Sequence, residues 1–235
     1  MADKKLPTAS PRNEVTAFLT KVATLPAVKA GAPRGRLLFA LDATASREPA
    51  WDHACRIQGE MFRETTALGG LDIQLSWYRG FGEFETDSWV RDAETLSRRM
   101  SKVSCRGGET QIEKVLRHAL TETRRQRIHA VVFVGDCMEE DVDLLCHLAG
   151  ELGVLGVPLF LFHEGEDEVA ARAFREMARL SGGACCRFDP GSPRQLRDLL
   201  AAVAVYAVGG RKALEDFSRR QGGMVPQLTH QIRGA

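Results

Sequence analysis

The sequence has no apolar run long enough to cross a bilayer. A membrane-spanning helix needs about 20 consecutive apolar residues, and no stretch of this chain reaches that length. Residues 1–11 are also without the continuous apolar stretch of a secretory signal. We therefore expect a cytoplasmic protein that does not insert into a membrane.

An excess of charge of either sign is missing as well. The 235 residues include 32 Lys and Arg against 31 Asp and Glu, which leaves a formal net charge of +1. Proteins that bind nucleic acid or an anionic membrane through their overall field are usually strongly basic. The composition argues against both as partners, and any recognition by charge must be local.

The chain lacks the spacing motifs of several common sites. Its six cysteines include no C-x-x-C pair and its six histidines no H-x-x-x-H pair, and these are usual spacings in zinc sites. Neither G-x-G-x-x-G nor G-x-x-x-x-G-K-[ST] follows a predicted strand, which argues against a nucleotide-binding domain. We expect the cysteines to be reduced and mostly buried.

The apolar segments that are present alternate between strand-like and helix-like patterns. The run RLLFAL at 36–41 is too short for a helix and is typical of a strand buried on both faces. Further strands are predicted at 71–78, 83–89, 129–135, 157–162 and 185–188, and helices at 49–67, 91–103, from 110, 141–152, 168–180 and 193–208. This alternation predicts a three-layer, doubly wound (Rossmann-like) α/β fold with a mostly parallel sheet and one short antiparallel edge strand at 83–89.

The two ends of the chain differ in pattern from this alternating region. Residues 1–34 are interrupted by prolines and are predicted to form an extension with one short amphipathic helix. Residues 35–208 form the predicted domain. Residues 209–235 lose the alternation and are predicted to be a tail with a short helical stretch at 213–219.

Polar side chains gather where the predicted strands end. DATAS, at 42–46, follows the first strand, GGET, at 107–110, precedes a helix, and Asp136 follows the strand HAVVFVG. Ligands of open parallel sheets bind at the carboxyl ends of the strands. The carboxylates of Asp42 and Asp136 and the three hydroxyls of these loops are therefore expected at one edge of the sheet.

The candidate metal ligands are all oxygen donors: Asp42, Thr44, Ser46, Thr110 and Asp136. Such a set suits Mg²⁺, with Mn²⁺ and Ca²⁺ as alternatives, and disfavours zinc and copper. With only two charged ligands, water or an oxygen atom of a partner must complete the coordination shell.

These residues resemble the von Willebrand factor A (VWA) family. Its metal-ion-dependent adhesion site (MIDAS) has the pattern Asp-x-Ser-x-Ser followed by a distant Thr and a distant Asp, and the match covers residues 36–208. Thr44 stands where the family usually has a Ser and keeps the hydroxyl. The resemblance implies a non-enzymatic adaptor or scaffold module that binds a protein partner, often through a partner carboxylate that completes the metal shell.

One departure from the family pattern follows Asp136. Residues 137–141 read CMEED, where many members have a small, Gly-containing turn. We interpret the three acids, Glu139, Glu140 and Asp141, as first-turn residues of the next helix, where they complement the helix dipole. They could also repel an acidic ligand or add to cation binding.

Other interpretations remain open from the sequence alone. Ser46 and Thr110 could each be the N-cap of a helix. A magnesium-dependent haloacid dehalogenase-like enzyme also has an Asp after its first strand, but it needs a second acid where this chain has Thr44. A third alternative is a scaffold whose metal site is vestigial.

Overall fold

A computed structural model describes residues 34–48, 70–188 and 193–221. The strands are β1 (Gly35–Asp42), β2 (Leu71–Arg79), β3 (Glu83–Thr86), β4 (Ala130–Gly135), β5 (Leu159–Glu164) and β6 (Ala184–Phe188). The helices are α1 (Ala93–Met100), α2 (Ile112–Arg125), α3 (Val142–Val154), α4 (Glu168–Leu180) and α5 (Pro193–Gln221), with a 3-10 turn at Ala45–Arg47. The predicted helices within 1–34 and at 49–67 lie outside the described residues.

The strands form one sheet in the order β3-β2-β1-β4-β5-β6. Every neighbouring pair is parallel except β2 and β3, which pair antiparallel at the edge. Helices α1 and α5 pack on one face, and α2, α3 and α4 pack on the other. The predicted three-layer α/β fold with a short antiparallel edge strand is confirmed.

Strand β1 is central and buried along its whole length. Leu37, Phe39 and Leu41 pack into the core under α1 and α5, whereas Leu38 and Ala40 pack into the core under α2, α3 and α4. A strand covered on both faces needs apolar side chains at successive positions, which explains the uninterrupted run LLFAL. The first polar residue after the run, Asp42, marks the carboxyl end of β1.

Helix α5 continues beyond the predicted domain boundary at 208. It changes direction at Gly210, whose φ of 64° and ψ of −161° are not helical, and only glycine adopts such a conformation easily. Beyond the kink, Ala213 and Leu214 are buried in the core. The stretch predicted to begin the tail thus packs against the domain at least as far as Phe217.

The cysteines are less buried than expected. Among the five described cysteines, all thiols, only Cys186 is buried, whereas Cys105, Cys137, Cys146 and Cys185 are half-buried. The prediction of mostly buried thiols is therefore wrong for four positions.

No helix among the described residues is both long and apolar enough to span a membrane.

His129 couples stability to pH at the amino-terminal edge of the sheet. It is 7% exposed, and its Nδ1 accepts the backbone N–H of Arg36 at 2.9 Å. Burial, with the nearby cations Arg127 and Arg36, lowers the pKa of this imidazole from 6.5 to about 4. Between pH 6.5 and pH 4, the His129 imidazole is therefore protonated in the unfolded chain but neutral in the folded protein. Protonation stabilises the unfolded state, so the unfolding free energy falls as the pH drops from 6.5 towards 4.

We expect His129→Gln to remove this acid-sensitive step. In chemical denaturation, the loss of unfolding free energy between pH 6.5 and pH 4 should shrink by on the order of 3 kcal/mol relative to the wild type. His147→Gln, at a side chain that is 71% exposed, serves as the control and should follow the wild-type curve. Equal acid sensitivity of His129→Gln and the wild type would contradict the assignment.

Candidate metal site

Asp42 is the last residue of β1 and is completely buried. Its Oδ1 accepts the backbone N–H of Thr44 at 2.8 Å, and its Oδ2 accepts the hydroxyl of Tyr78 at 2.9 Å. Tyr78 is the residue that pairs with Asp42 on the neighbouring strand β2. The carboxylate is thus held in one orientation by a turn amide and a phenol.

The two hydroxyls of the DATAS segment lie side by side. The Oγ1 atom of Thr44 is 3.1 Å from the Oγ atom of Ser46. Thr44 stands at the N-cap position of the 3-10 turn but makes no side-chain capping bond. The segment therefore keeps Asp42, Thr44 and Ser46 together, and the Thr44 hydroxyl is not used as a cap.

Asp136 comes next to Asp42 because β4 and β1 are neighbouring parallel strands in register. Asp136 directly follows Gly135, the last residue of β4, where a Cβ atom would lie 3.7 Å from the Cβ of Asp42. The ring of His163 contacts the Asp136 carbonyl oxygen through Nε2 at 3.1 Å. The Oδ1 atom of Asp136 is buried and has no hydrogen-bond partner among the described residues.

The loop that carries Thr110 is attached to both β1 and the β2–β3 turn. Arg106 donates its backbone N–H to the Ala43 carbonyl at 3.0 Å. Gly108 lies against Gly80 so closely that a Cβ atom would approach the Gly80 carbonyl oxygen to 2.1 Å. The GGET segment thus needs glycine for a close backbone approach, and this approach brings Thr110 to the same edge of the sheet.

Thr110 contacts the acidic segment that follows Asp136. Its hydroxyl accepts the Glu139 backbone N–H at 2.9 Å and donates to Glu140 Oε2, and its backbone N–H donates to Glu139 Oε2 at 2.9 Å. The N-cap position of α2 belongs to Gln111, so capping does not explain the Thr110 hydroxyl. A hydroxyl oxygen has two lone pairs, and one remains for a further interaction.

The interpretation of Glu139 and Glu140 as first-turn acids of the following helix is wrong. Helix α3 begins at Val142 and is capped by Asp141, whose side chain accepts the Leu144 N–H at 3.0 Å. Glu140 instead accepts the backbone N–H of Glu113 at 3.2 Å, at the start of α2. The two carboxylates thus accept backbone N–H groups at and just before the start of α2, because the first amides of a helix lack partners within it.

Cys137 adds a sulfur atom to the carboxylate pair. One ligand atom each from Asp42, Asp136 and Cys137 lies within 4.8 Å of the others. Burial together with the negative charges of Asp136 and Asp42 raises the pKa of the Cys137 thiol to about 12. Without a bound cation, Cys137 is therefore a neutral thiol at physiological pH.

A buried ion pair lies beside this cluster. Arg47, in the 3-10 turn, is 2% exposed and pairs with Glu164 at the end of β5. Burial lowers the pKa of the Arg47 guanidinium, whereas Asp42 and Asp136 act in the opposite direction. Because Glu164 offsets the charge of Arg47, the group formed by Asp42, Asp136, Arg47 and Glu164 keeps a net negative charge.

Electrostatics make Asp42 sensitive to a nearby cation. Burial raises the pKa of the Asp42 carboxyl, the Asp136 carboxylate raises it further, and hydrogen bonds from Thr44 and Tyr78 oppose the shift. Burial also raises the pKa of Tyr78 well above its ordinary value, so the phenol remains a donor. The arrangement concentrates negative charge in a place where water cannot solvate it fully.

Comparison with known proteins gives the fold its name. No protein-family model matches the chain, and no curated protein matches it in sequence. Among solved structures, the SpRpn10 VWA domain superposes with a TM-score of 0.54 at 15% identity, over 71% of this chain and 94% of that one. The chain has the von Willebrand factor A fold.

Two other solved structures superpose on this VWA fold. An aerotolerance-related membrane protein from Bacteroides fragilis, studied with multiple mutations to serines, has a TM-score of 0.54 at 13% identity, over 71% of this chain and 98% of that one. Proximal thread matrix protein 1 of the mussel byssus, solved with a zinc-occupied MIDAS motif, has a TM-score of 0.61 at 14% identity. That alignment covers 75% of this chain and 47% of the mussel protein.

The chemistry of this VWA-fold edge suits a divalent cation. A buried carboxylate oxygen without a partner, such as Asp136 Oδ1, is costly unless a cation or a donor satisfies it. The neighbouring Asp42 carboxylate supplies the second charge, and the Thr44 and Ser46 hydroxyls follow on the same turn. Oxygen donors of these types are common ligands of Mg²⁺, Mn²⁺ and Ca²⁺.

Sequence reasoning missed three residues of this VWA-fold edge: Tyr78, Arg47 and Cys137. Tyr78 could have been found, because it ends a predicted strand at the same edge as Asp42. Cys137 was excluded only because it lacks a C-x-x-C partner, although it directly follows Asp136. Arg47 carries no sequence signal, since its role depends on its contact with Glu164 on a distant segment.

Proposed function

We propose that this protein is a binding module that recognises a protein partner through a divalent cation held at the carboxyl edge of its sheet. The ligands are Asp42, Thr44, Ser46, Thr110 and Asp136, which bind directly or through water. The observation that carries the proposal is the buried, unpartnered Oδ1 of Asp136 beside the fully buried Asp42. The VWA fold of the chain and the zinc-occupied MIDAS motif of the mussel protein support it.

The metal shell leaves room for a ligand atom from outside. Only two of the five proposed ligands are charged, so the protein does not surround the ion with carboxylates. Mg²⁺, the cation that the oxygen donors favour, usually keeps several waters that an incoming oxygen can replace. A carboxylate of a partner protein is a suitable replacement because a charged oxygen donor binds a divalent cation more strongly than water does.

Binding rather than catalysis is the function that these side chains support best. An acid that protonates a leaving group would have to be placed two residues after Asp42 in a haloacid dehalogenase-like enzyme, and Thr44 occupies that position. The Thr44 backbone N–H is directed at Asp42 Oδ1, so the aspartate is held as an acceptor in the turn. The proposal is therefore an adaptor or scaffold role.

Capture of partners in the presence and absence of metal tests this proposal. Immobilised wild-type protein should retain specific proteins from an extract of its own source when Mg²⁺ or Mn²⁺ is present and should release them with EDTA. Asp136→Asn removes one ligand charge at nearly constant volume and should abolish this retention. Loss of a well-placed charged ligand costs about 1.5–3 kcal/mol, which is about tenfold to a hundredfold in affinity.

Asp141→Asn is the matched control for Asp136→Asn. Asp141 lies on the same segment but caps α3, and asparagine is an equally good cap. This variant should retain the same proteins as the wild type. If retention by the wild type is unaffected by EDTA and by Asp136→Asn, the proposed metal-dependent function is wrong.

A further inference from the structure

The sulfur of Cys137 is placed like a ligand at the candidate metal site. It lies with one oxygen of Asp42 and one of Asp136 in a group whose three atoms are within 4.8 Å of one another. No other group of three or more His, Cys, Asp or Glu side chains among the described residues comes together in this way. The cysteine is therefore part of the carboxylate cluster itself.

The spacing is close to what a small cation requires. Zinc bonds to oxygen and sulfur are about 2.0–2.3 Å long, so at tetrahedral angles two ligand atoms of one zinc ion are about 3.3–3.7 Å apart. The three atoms, which already lie within 4.8 Å of one another, would have to draw together by no more than about 1.5 Å to bind one ion.

Two features of the three side chains favour a bound cation. Asp42 is fully buried, and Asp136 Oδ1 is buried without a hydrogen-bond partner in the described part of the chain. Arg47, a buried cation that interacts electrostatically with both aspartates, is paired with Glu164. A cation bound between the carboxylates and the sulfur would satisfy the unpartnered oxygen.

We propose that Cys137 is a direct metal ligand that shifts the preference of this site from Mg²⁺ towards a thiophilic divalent cation such as Zn²⁺ or Co²⁺. Thiolates select these ions, whereas Mg²⁺ prefers oxygen. On binding, the Cys137 S–H bond breaks, a metal–sulfur bond forms, and the proton goes to the solvent. With Asp42, Asp136 and Cys137 as its charged ligands, a tetrahedral ion would keep the fourth position for water, for a hydroxyl of the DATAS segment or for a partner oxygen.

This inference rests on the proposed function, because it names the cation of the same site. It also alters the expectation from the sequence, in which the ligands were all oxygen donors and zinc was disfavoured. The alteration comes from one residue, Cys137, whose neighbour Asp136 was already a candidate ligand. Oxygen-only coordination of Mg²⁺ is the alternative outcome of the test.

Cobalt spectroscopy of the full chain tests the proposal. Addition of Co²⁺ to the wild type should produce a near-ultraviolet thiolate-to-cobalt charge-transfer band. Cys137→Ser should lose this band and bind Zn²⁺ about tenfold to a hundredfold more weakly, while its affinity for Mg²⁺ changes little. Cys146→Ser, at a half-buried thiol on α3, should keep both the band and the Zn²⁺ affinity.

The outcomes separate this inference from the proposed function. If Co²⁺ and Zn²⁺ bind but Cys137→Ser keeps the band or the Zn²⁺ affinity, the inference is overturned while the metal site remains. If none of Mg²⁺, Zn²⁺ and Co²⁺ binds the wild type in calorimetry, the proposed function fails and the inference with it. Cys137→Ala, with its melting temperature measured alongside, repeats the test without a hydroxyl that could replace the thiol as a ligand.

Discussion

Asp42→Ala is expected to abolish the stabilisation that divalent cations give to the wild-type protein. A cation that binds only the folded state at a hundred times its dissociation constant raises the unfolding free energy by about 2.7 kcal/mol. Asp42 supplies a buried charge at the centre of the cluster, so its loss leaves Asp136 as the only carboxylate of the three-atom group. Thermal unfolding with and without Mg²⁺, Mn²⁺ or Zn²⁺ measures the effect.

The control for Asp42→Ala is a carboxylate with a purely structural contact. Asp141→Ala removes the N-cap of α3, which should lower stability by about 1 kcal/mol and leave the response to cations intact. Asp42→Ala will itself alter the stability of the metal-free protein, because Thr44 and Tyr78 lose their acceptor. The decisive quantity is therefore the difference made by the cation, and an undiminished difference in Asp42→Ala would refute the proposed ligand.

Arg47→Met should destabilise the protein by about 3–5 kcal/mol. Arg47 and Glu164 form an ion pair in which both side chains are less than 10% exposed. Removal of the arginine leaves Glu164 as a buried charge without its counter-ion, and this is more costly than the lost attraction alone. Denaturant unfolding at neutral pH measures the change in unfolding free energy.

A double variant separates the ion pair from simple packing. Arg47→Met combined with Glu164→Leu removes both charges and should recover most of the lost stability, because an apolar pair of similar volume is often as stable as a buried ion pair. Arg117→Ala, which breaks the exposed pair with Glu113, should change stability little. If the double variant is no more stable than Arg47→Met, packing of the arginine stem is the cause, and the role assigned to the ion pair is wrong.

The Arg47 variant also bears on the metal site. Arg47 interacts electrostatically with Asp42 and Asp136, so it reduces the negative charge that a cation would meet. Arg47→Met should therefore bind divalent cations at least as tightly as the wild type does, provided that it folds. A residue that only shapes the loop would not give this combination of lower stability and undiminished cation affinity.

The succession of strands and helices along the chain and the position of Asp42 could be predicted from local patterns, whereas the order of the strands within the sheet was not predicted. A parallel strand covered on both faces must be apolar at every position, so the run ending at Leu41 marks β1, and the polar residue after it must lie at the edge of the sheet. The same argument places Asp136 after β4. These predictions succeed because burial constrains each segment separately. The resulting pattern of apolar residues can be recognised within a few positions of the sequence.

The contacts of Thr110 could not be predicted from local patterns in the sequence. The sequence indicated a hydroxyl at the start of a helix, but in the structure the Thr110 side chain contacts Glu139 and Glu140. Those acids had been assigned to the helix that follows them. Glu139 and Glu140 reach the start of α2 because that helix packs near the segment after β4. The spacing of residues along the chain does not reveal this proximity.

By itself, the sequence determined the alternation of strands and helices and the oxygen-rich loops at the strand ends, because each of these follows from burial and turn chemistry within a few residues. Only the tertiary structure decided which side chains meet there: Tyr78 on Asp42, Arg47 on Glu164, and the sulfur of Cys137 beside the two aspartates. The reason is physical. Hydrogen bonds and ion pairs act over a few ångströms in space, and residues from different loops come within that range only after the sheet and its helices have packed.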